Sequence, residues 1–68
     1  MADVWVDWTA VESDDSVATP IKFASRPVAV GEAVRVYGDG MGGQAVVTEV
    51  EGGLIRLKID PKSVGLGR

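Results

Sequence analysis

With 68 residues, seven basic and ten acidic side chains, and neither histidine nor cysteine, the chain carries a formal net charge of −3. This length suits one small domain near the lower limit of independent stability, without disulfides, thiolate metal sites or the commonest catalytic base. The acidic balance disfavours binding to nucleic acid through phosphate, and no apolar run approaches the roughly 20 residues of a membrane span.

The first predicted strand spans residues 3–8, where apolar and polar positions alternate. The side chains on its inward side are Val4, Val6 and Trp8. Trp5 lies on the opposite side between two aspartates, so we expect this ring to be partly exposed. An exposed tryptophan on a strand indicates contact with a partner protein.

An acidic loop at residues 12–16 precedes a short second strand. Residues 20–24 alternate again and predict a strand with Ile21 and Phe23 inward. Pro20 places this strand at a sheet edge, because proline cannot donate to a ladder. The acidic loop lacks the ligand number and the glycine of a calcium-binding loop, so we expect it to be solvated.

Residues 33–60 predict three antiparallel strands and carry the most specific pattern in the chain. The Gly-Gly pair at residues 52–53 separates two alternating runs, which is typical of a tight turn with positive φ at both positions. On the inward side, this turn pairs Val50 with Ile55, Thr48 with Leu57 and Val46 with Ile59. On the outward side, it pairs Glu49 with Arg56, Val47 with Lys58 and Ala45 with Asp60.

Residues 38–43 contain four glycines and match the pattern G-x-G-x-x-G. A dinucleotide-binding loop requires a following helix, whereas the residues after Gly43 predict a strand. A kinase would require a second lobe, for which the chain has no room. We therefore expect a flexible hairpin loop in which Met41 is the one side chain suited to anchor an apolar partner.

About five short strands and no helix predict an all-β fold, either a small barrel or a strongly bent antiparallel sheet. The strings VGEAVRV at residues 30–36 and GQAVVTEV at residues 43–50 resemble the SH3-like small barrels, nearest to the KOW-type motif. KOW-type domains that contact RNA are usually basic around the loop, whereas this loop carries Asp39. The resemblance implies a barrel fold, with the two N-terminal runs completing the sheet.

We expect residues 1–64 to form the single domain and residues 65–68 to form a flexible tail. The N-terminus lacks the basic region and the apolar stretch of a secretory signal. A cytoplasmic location is therefore expected, or a virion if the chain is of phage origin.

In size, acidity and all-β character the chain resembles small accessory and decoration proteins of bacteriophage particles. Together with the outward aromatic side chains, this resemblance implies a non-enzymatic protein-binding module, a structural or accessory subunit of a larger assembly that binds a protein partner or itself. The predicted partner-binding residues are Trp5, Arg35, Tyr37, Met41, Leu54 and Arg56. We predict no catalytic residue, cofactor, metal ligand or small-molecule substrate.

Two alternative functions remain open. Arg35, Tyr37, Arg56 and Lys58 are the residues of a possible basic-aromatic face for nucleic acid. Glu49 beside Arg56 weakens that interpretation. Alternatively, the acidic loop at residues 12–16 would allow the chain to inhibit a basic host protein by charge mimicry.

Overall fold

The computed structural model describes residues 1–66 and shows a mixed five-stranded sheet curled through about 200° into a half-barrel. The strands are β1 (Asp3–Trp5), β2 (Ser16–Pro20), β3 (Ala33–Gly38), β4 (Met41–Glu51), β5 (Leu54–Ile59) and β6 (Gly65–Leu66). Five of them lie in the order β1-β3-β4-β5-β2, and β6 pairs with the start of β4. Within this range the only helical segments are single 3₁₀ turns at Trp8–Ala10, Ile21–Phe23 and Pro61–Ser63. The predicted all-β, strongly bent fold is confirmed.

One strand pairing differs from the predicted antiparallel sheet, because β1 runs parallel to β3, with Val4 beside Val36. The other long pairings, β3–β4, β4–β5 and β5–β2, are antiparallel. A parallel neighbour requires a long connection, and the segment between β1 and β3, which contains β2, provides it. The two N-terminal strands therefore flank the β3–β4–β5 meander on opposite sides.

The β4–β5 hairpin has the predicted turn. Gly52 and Gly53 have φ values of 60° and 80°, as a two-residue primed turn requires. Glu49 pairs with Arg56 in the predicted register, and so do the residues between this pair and the turn.

On the side of Glu49 that is farther from the turn, the predicted register is wrong. The pairing of β4 with β5 shifts there by one residue, at a β-bulge around Thr48. The shift exchanges the two sides of β4: Val47 pairs with Leu57 and is buried, whereas Val46 is 44% exposed. The backbone N–H of Val47 donates to Glu32 O at 2.9 Å, which ties the bulge to the segment before β3. Counting alternate residues from the turn assumes that neither strand contains an extra residue, so this count could not predict the bulge.

The core of the half-barrel consists almost entirely of aliphatic side chains, which suit the pleated inner face of a sheet. Its buried residues are Ala2, Val4, Val6, Val17, Val34, Val36, Ala45, Val47, Ile55, Leu57 and Ile59. Thr19 is the one buried polar side chain within residues 1–66, and its hydroxyl donates to Trp5 O at 2.9 Å. This bond joins β2 to β1, the two outermost strands of the curled sheet.

The segment predicted as the second strand has another structure. The strand lies earlier in the chain, at Ser16–Pro20, and Pro20 is on an edge strand as predicted. Ile21–Phe23 form a 3₁₀ turn, so the inward orientation predicted for Ile21 and Phe23 is wrong, and both side chains are nearly 40% exposed (38% and 39%). This turn carries Phe23 to the outer surface of the molecule.

The sheet continues past residue 64, the predicted end of the domain. Gly65 and Leu66 pair with Gly42 and Met41 at the start of β4. Val64 packs against the core just before them. The remaining part of the predicted tail, residues 67 and 68, lies outside the described residues.

Candidate functional site

Trp5 and Tyr37 lie side by side on the outer surface of the sheet. They are register partners in the β1–β3 pair, and their neighbours Val4 and Val36 point into the core. Adjacent strands are about 4.8 Å apart, so the two rings form one surface, which we call the aromatic face. Trp5 is half-buried and Tyr37 is 45% exposed.

Phe23 holds the ring of Trp5 in place. The two rings meet nearly edge to face, with centroids 5.3 Å apart and an interplanar angle of 70°. This arrangement stabilises an aromatic pair by about 0.5–1.5 kcal/mol beyond its area burial. Sequence alternation missed Phe23, because the 3₁₀ turn at residues 21–23 cannot be distinguished from a short strand by pattern alone.

Gly38 allows the N-terminal segment to cross close above the end of β3. A Cβ atom at this position would collide with Val6 O and lie 3.2 Å from the indole nitrogen of Trp5. The indole N–H of Trp8 donates to Gly38 O at 2.8 Å, so both tryptophans pack at this crossing. The predicted first strand extended to Trp8, but β1 ends at Trp5, and Trp8 begins a 3₁₀ turn in which it is half-buried.

The glycine-rich segment 38–43 forms a hairpin with a two-residue turn rather than a longer loop. Asp39 and Gly40 occupy the turn with φ values of 49° and 77°, and the following residues already belong to β4. A Cβ atom at Gly43 would lie 3.1 Å from a methyl carbon of Val64, so this glycine lets the chain after β5 pack over β4. These glycines have structural roles in the hairpin and its packing.

An open groove with a volume of about 840 Å³, as formed by the described residues, borders the aromatic face along the β3–β4 hairpin. Four of the six predicted partner-binding residues line it: Trp5, Arg35, Tyr37 and Met41. Met41 pairs with Leu66, which is 86% exposed and also lines the groove. The structure therefore brings together predicted residues from β1, β3 and β4, and it adds Leu66 and Phe23.

The groove is lined by residues of opposite charge, Arg35 on β3 and Asp39 in the turn that follows. Tyr37 lies between them along the chain, on the same side of β3 as Arg35. The Nε atom of Arg35 lies 3.5 Å from a carboxylate oxygen of Asp3, and both side chains are exposed. Asp39 is exposed and forms no ion pair with another residue in the range 1–66.

The other two predicted residues, Leu54 and Arg56, lie apart from the aromatic face on β5. The Nε atom of Arg56 lies 3.6 Å from a carboxylate oxygen of Glu49, and Leu54 is 48% exposed. The pKa of the neighbouring Glu51 is raised by a side-chain hydrogen bond with Glu49 and by repulsion from the charge of Glu49. We call these residues, Glu49, Glu51, Leu54 and Arg56, the β5 cluster.

The edge of β1 offers few free backbone groups to another strand. The N–H of Asp3 donates to the hydroxyl of Ser25 at 2.9 Å, and the N–H of Ser25 donates to Asp3 O at 2.8 Å. At the other end of β1, Trp5 O accepts the hydroxyl hydrogen bond from Thr19. The segment around Ser25 thus covers this edge.

The edge of β2 is blocked in a different way. The N–H of Ile59 donates to Asp15 O, and the antiparallel alternation then leaves the backbone groups of Ser16, Ala18 and Pro20 facing away from β5. Both backbone groups of Ser16 already bond within the preceding acidic loop. Proline has no N–H to donate, so Ala18 is the one residue of this strand that presents both groups to solvent.

Two carboxylates of the N-terminal half accept hydrogen bonds from the residue two positions further along the chain. Asp14 accepts hydrogen bonds from the hydroxyl and the N–H of Ser16, which lower its pKa. Asp7 accepts the equivalent bonds from Thr9, with the same effect on its pKa.

Across residues 1–66, no three acidic side chains come together in a way suited to holding a metal ion. No helical segment in the same range is long and apolar enough to span a bilayer.

Comparison with known proteins provides no relative: neither a protein-family model nor a curated protein nor a solved structure matches this chain significantly. The functional assignment therefore depends on the chemistry and placement of the side chains described above.

Proposed function

We propose that this chain is a non-enzymatic protein-binding module that contacts its partner through the aromatic face. The observation that carries the proposal is the position of Trp5 beside Tyr37, outside the core and next to Arg35. Tryptophan, tyrosine and arginine are the residue types most enriched among binding hot spots. No chemistry other than binding is required of these three side chains.

The rigid support of Trp5 favours binding. Phe23 packs against the ring edge to face, and the indole nitrogen lies close to the crossing at Gly38, 3.2 Å from the position that a Cβ atom of that residue would occupy. Binding normally costs about 0.5–1.5 kcal/mol for each flexible side chain that becomes ordered. A ring that is already oriented avoids most of this cost.

The blocked strand edges favour contacts through side chains over strand addition. The Ser25 segment covers β1, and only Ala18 presents a free backbone pair on β2. A strand added to a sheet edge gains most of its affinity from a row of main-chain hydrogen bonds. Neither β1 nor β2, the edge strands of the sheet, offers such a row, whereas the aromatic face offers apolar and charged side chains together.

We further propose that the chain serves as a structural or accessory subunit of a larger assembly, in the manner of small decoration proteins of phage particles. The small all-β domain, its aliphatic core and its acidic charge support this role. The SH3-like resemblance belongs to the same proposal, supported by the strong curl of the sheet. The parallel β1–β3 pair departs from the antiparallel pattern that we expected.

The separation of the arginines makes the nucleic-acid alternative less favourable. Arg35 lies on β3 and Arg56 on β5, with β4 between them, so the two arginines do not form one continuous basic face. The inhibitor alternative loses support because Asp14 binds its own loop. Neither alternative accounts for the position of Trp5.

The experiment that tests the proposal measures the mass of the natively purified chain and of its Trp5→Ala variant in solution. We expect the wild-type chain to be recovered in an associated form, and the variant to lose association by about 30-fold, as a hot spot of about 2 kcal/mol implies. Val30→Ala is the matched control, because Val30 is 65% exposed and does not line the groove. Tyr37→Ser provides a second test if Trp5→Ala unfolds. A wild-type chain that is monomeric in every preparation, or full association of Tyr37→Ser and Trp5→Ala, would contradict the proposal.

A further inference from the structure

We propose that the aromatic face binds a second copy of this chain, in a two-fold symmetric dimer with Tyr37 close to the axis. The inference rests on the proposed function, since it names the partner of the same face. It is carried by the order of three groove-lining residues along the β3–β4 hairpin, where a cation (Arg35) and a ring (Tyr37) on β3 are followed by an anion (Asp39) in the turn.

This order is complementary to itself under a two-fold rotation. A two-fold axis that lies in the plane of the interface beside Tyr37, parallel to the sheet surface and perpendicular to β3, places the second copy face to face with the first and reverses the direction of its β3. Arg35 of one copy then faces Asp39 of the other, and the same contact occurs a second time on the opposite side of the axis. Symmetric dimers require this kind of reciprocal contact, in which residue i meets j and j meets i.

Both charged groups are available for such contacts. Arg35 and its internal partner Asp3 have side chains that are 65% and 47% exposed, and exposed ion pairs of this kind contribute little to stability. Arg35 can therefore reach Asp39 of the second copy without a large loss. Each copy carries a formal charge of −3, so non-specific association is disfavoured and opposite charges must meet at defined positions.

Apolar side chains around the charges provide the area that a dimer buries. Trp5 and Tyr37 form the centre, and Met41 and Leu66 continue the surface along the groove. A standard interface covers about 800 Å² on each partner, roughly a fifth of the 4223 Å² that this chain exposes. The outer surface of β1, β3 and the first part of β4 is a contiguous region of the sheet on which such an interface can form.

The test is a charge exchange, followed by measurements of molar mass over a concentration series. We expect the wild-type mass to rise from one chain to two with concentration. Arg35→Glu and Asp39→Lys should each weaken the dimer by about tenfold or more, because each variant brings like charges together twice. An equimolar mixture of the two variants should form a heterodimer, since every contact in the mixture again joins opposite charges. The double variant should regain most of the wild-type affinity.

Controls separate folding from association. Asp39 has a φ of 49°, a region that asparagine also tolerates, so Asp39→Asn should weaken the dimer less than Asp39→Lys while the fold is kept. Thermal unfolding of each variant shows whether the domain is intact. If Asp39→Lys does not fold, the contrast between Arg35→Glu and Asp39→Asn decides: both must weaken the dimer for the inference to hold.

The outcomes distinguish this inference from the proposed function. Recovery of dimers in the mixture supports the two-fold arrangement. Single variants that dimerise as well as wild type, or a mixture that stays monomeric, overturn it. A wild-type chain that is monomeric alone but binds a different protein, with loss of binding in Trp5→Ala, overturns the dimer and leaves the proposed function standing. Association that survives both the charge changes and Trp5→Ala overturns both.

Discussion

The two hairpins that share β4 differ in how regularly their strands pair. The β3–β4 hairpin keeps one register over six consecutive pairs, whereas the β4–β5 hairpin shifts between Val47 and Glu49. In the regular hairpin the side chains of β3 alternate without interruption between the core and the outer surface, so Val36 is buried and Tyr37 is exposed. In the bulged hairpin the same alternation assigns part of β4 to the wrong side. A binding face can therefore be predicted from alternation only where no bulge intervenes.

The largest expected effect concerns the regular hairpin, at the end of β3. Gly38→Ala should lower the free energy of unfolding by about 3 kcal/mol or more, because the new Cβ atom collides with Val6 O and crowds the indole of Trp5. Gly65→Ala is the matched control, since a Cβ atom there meets no other atom within 4 Å. Urea unfolding of both variants measures the difference. Equal stability of the two would show that the N-terminal segment does not cross β3 as described.

A second pair of variants tests the bulge directly. Val47→Ala should cost about 2 kcal/mol of stability, because Val47 is 1% exposed and packs in the core. Val46→Ala should cost less than about 0.5 kcal/mol, since its side chain is 44% exposed. Chemical denaturation checks both values. The regular register counted from Gly52-Gly53 predicts instead that Val46→Ala costs more stability than Val47→Ala. That result would contradict the bulge.

A third prediction concerns the contact that joins the two outermost strands. Thr19→Val should lower stability by about 1–2 kcal/mol, because it leaves Trp5 O without the hydroxyl donor at 2.9 Å. Thr48→Val is the control, since its hydroxyl bonds to Arg56 O at an exposed position of the bulged hairpin. Thermal unfolding of the two variants should show a clear loss for the first only. A similar small loss in both would mean that the hydroxyl bond is not needed to keep β1 and β2 together.

The smallest expected effect lies in the β5 cluster. The pKa of Glu51 is raised by its neighbour Glu49, so Glu49→Gln should bring the pKa of Glu51 back toward its usual value. Because the folded form holds its proton more tightly than the unfolded form, Glu51 favours folding at low pH. This contribution is lost as the pH rises from the ordinary glutamate pKa through the raised one. A carboxyl NMR titration checks the shift, with Glu12→Gln as the control that should leave Glu51 unchanged.

Local signals in the sequence predicted part of the fold and part of the candidate site. The turn at Gly52-Gly53 and the buried side of β5 followed from nearby residues, and both are confirmed. The parallel pairing of β1 was not predictable, because it depends on a partner some thirty residues away (Val4 beside Val36). The alternation of residues along each strand predicted that Trp5 and Tyr37 lie outside the core. It did not indicate that the two residues are neighbours in the sheet.

The part of the site that the sequence missed depends on short irregular elements. Phe23 was assigned to the interior because three residues of a 3₁₀ turn can satisfy the pattern of a strand. Leu66 was assigned to a tail, since nothing in its own sequence indicates pairing with Met41. Leu54 and Arg56 were grouped with the aromatic face, whereas the curled sheet places them on β5, beyond β4.

The most direct test of the aromatic face as a binding surface is residue-resolved NMR of the full chain at increasing concentration. We expect the signals of Trp5, Tyr37 and Met41 to shift together, while those of Leu54 and Arg56 stay unchanged. Shifts confined to the β5 cluster, or no concentration dependence at all, would contradict self-association through this face.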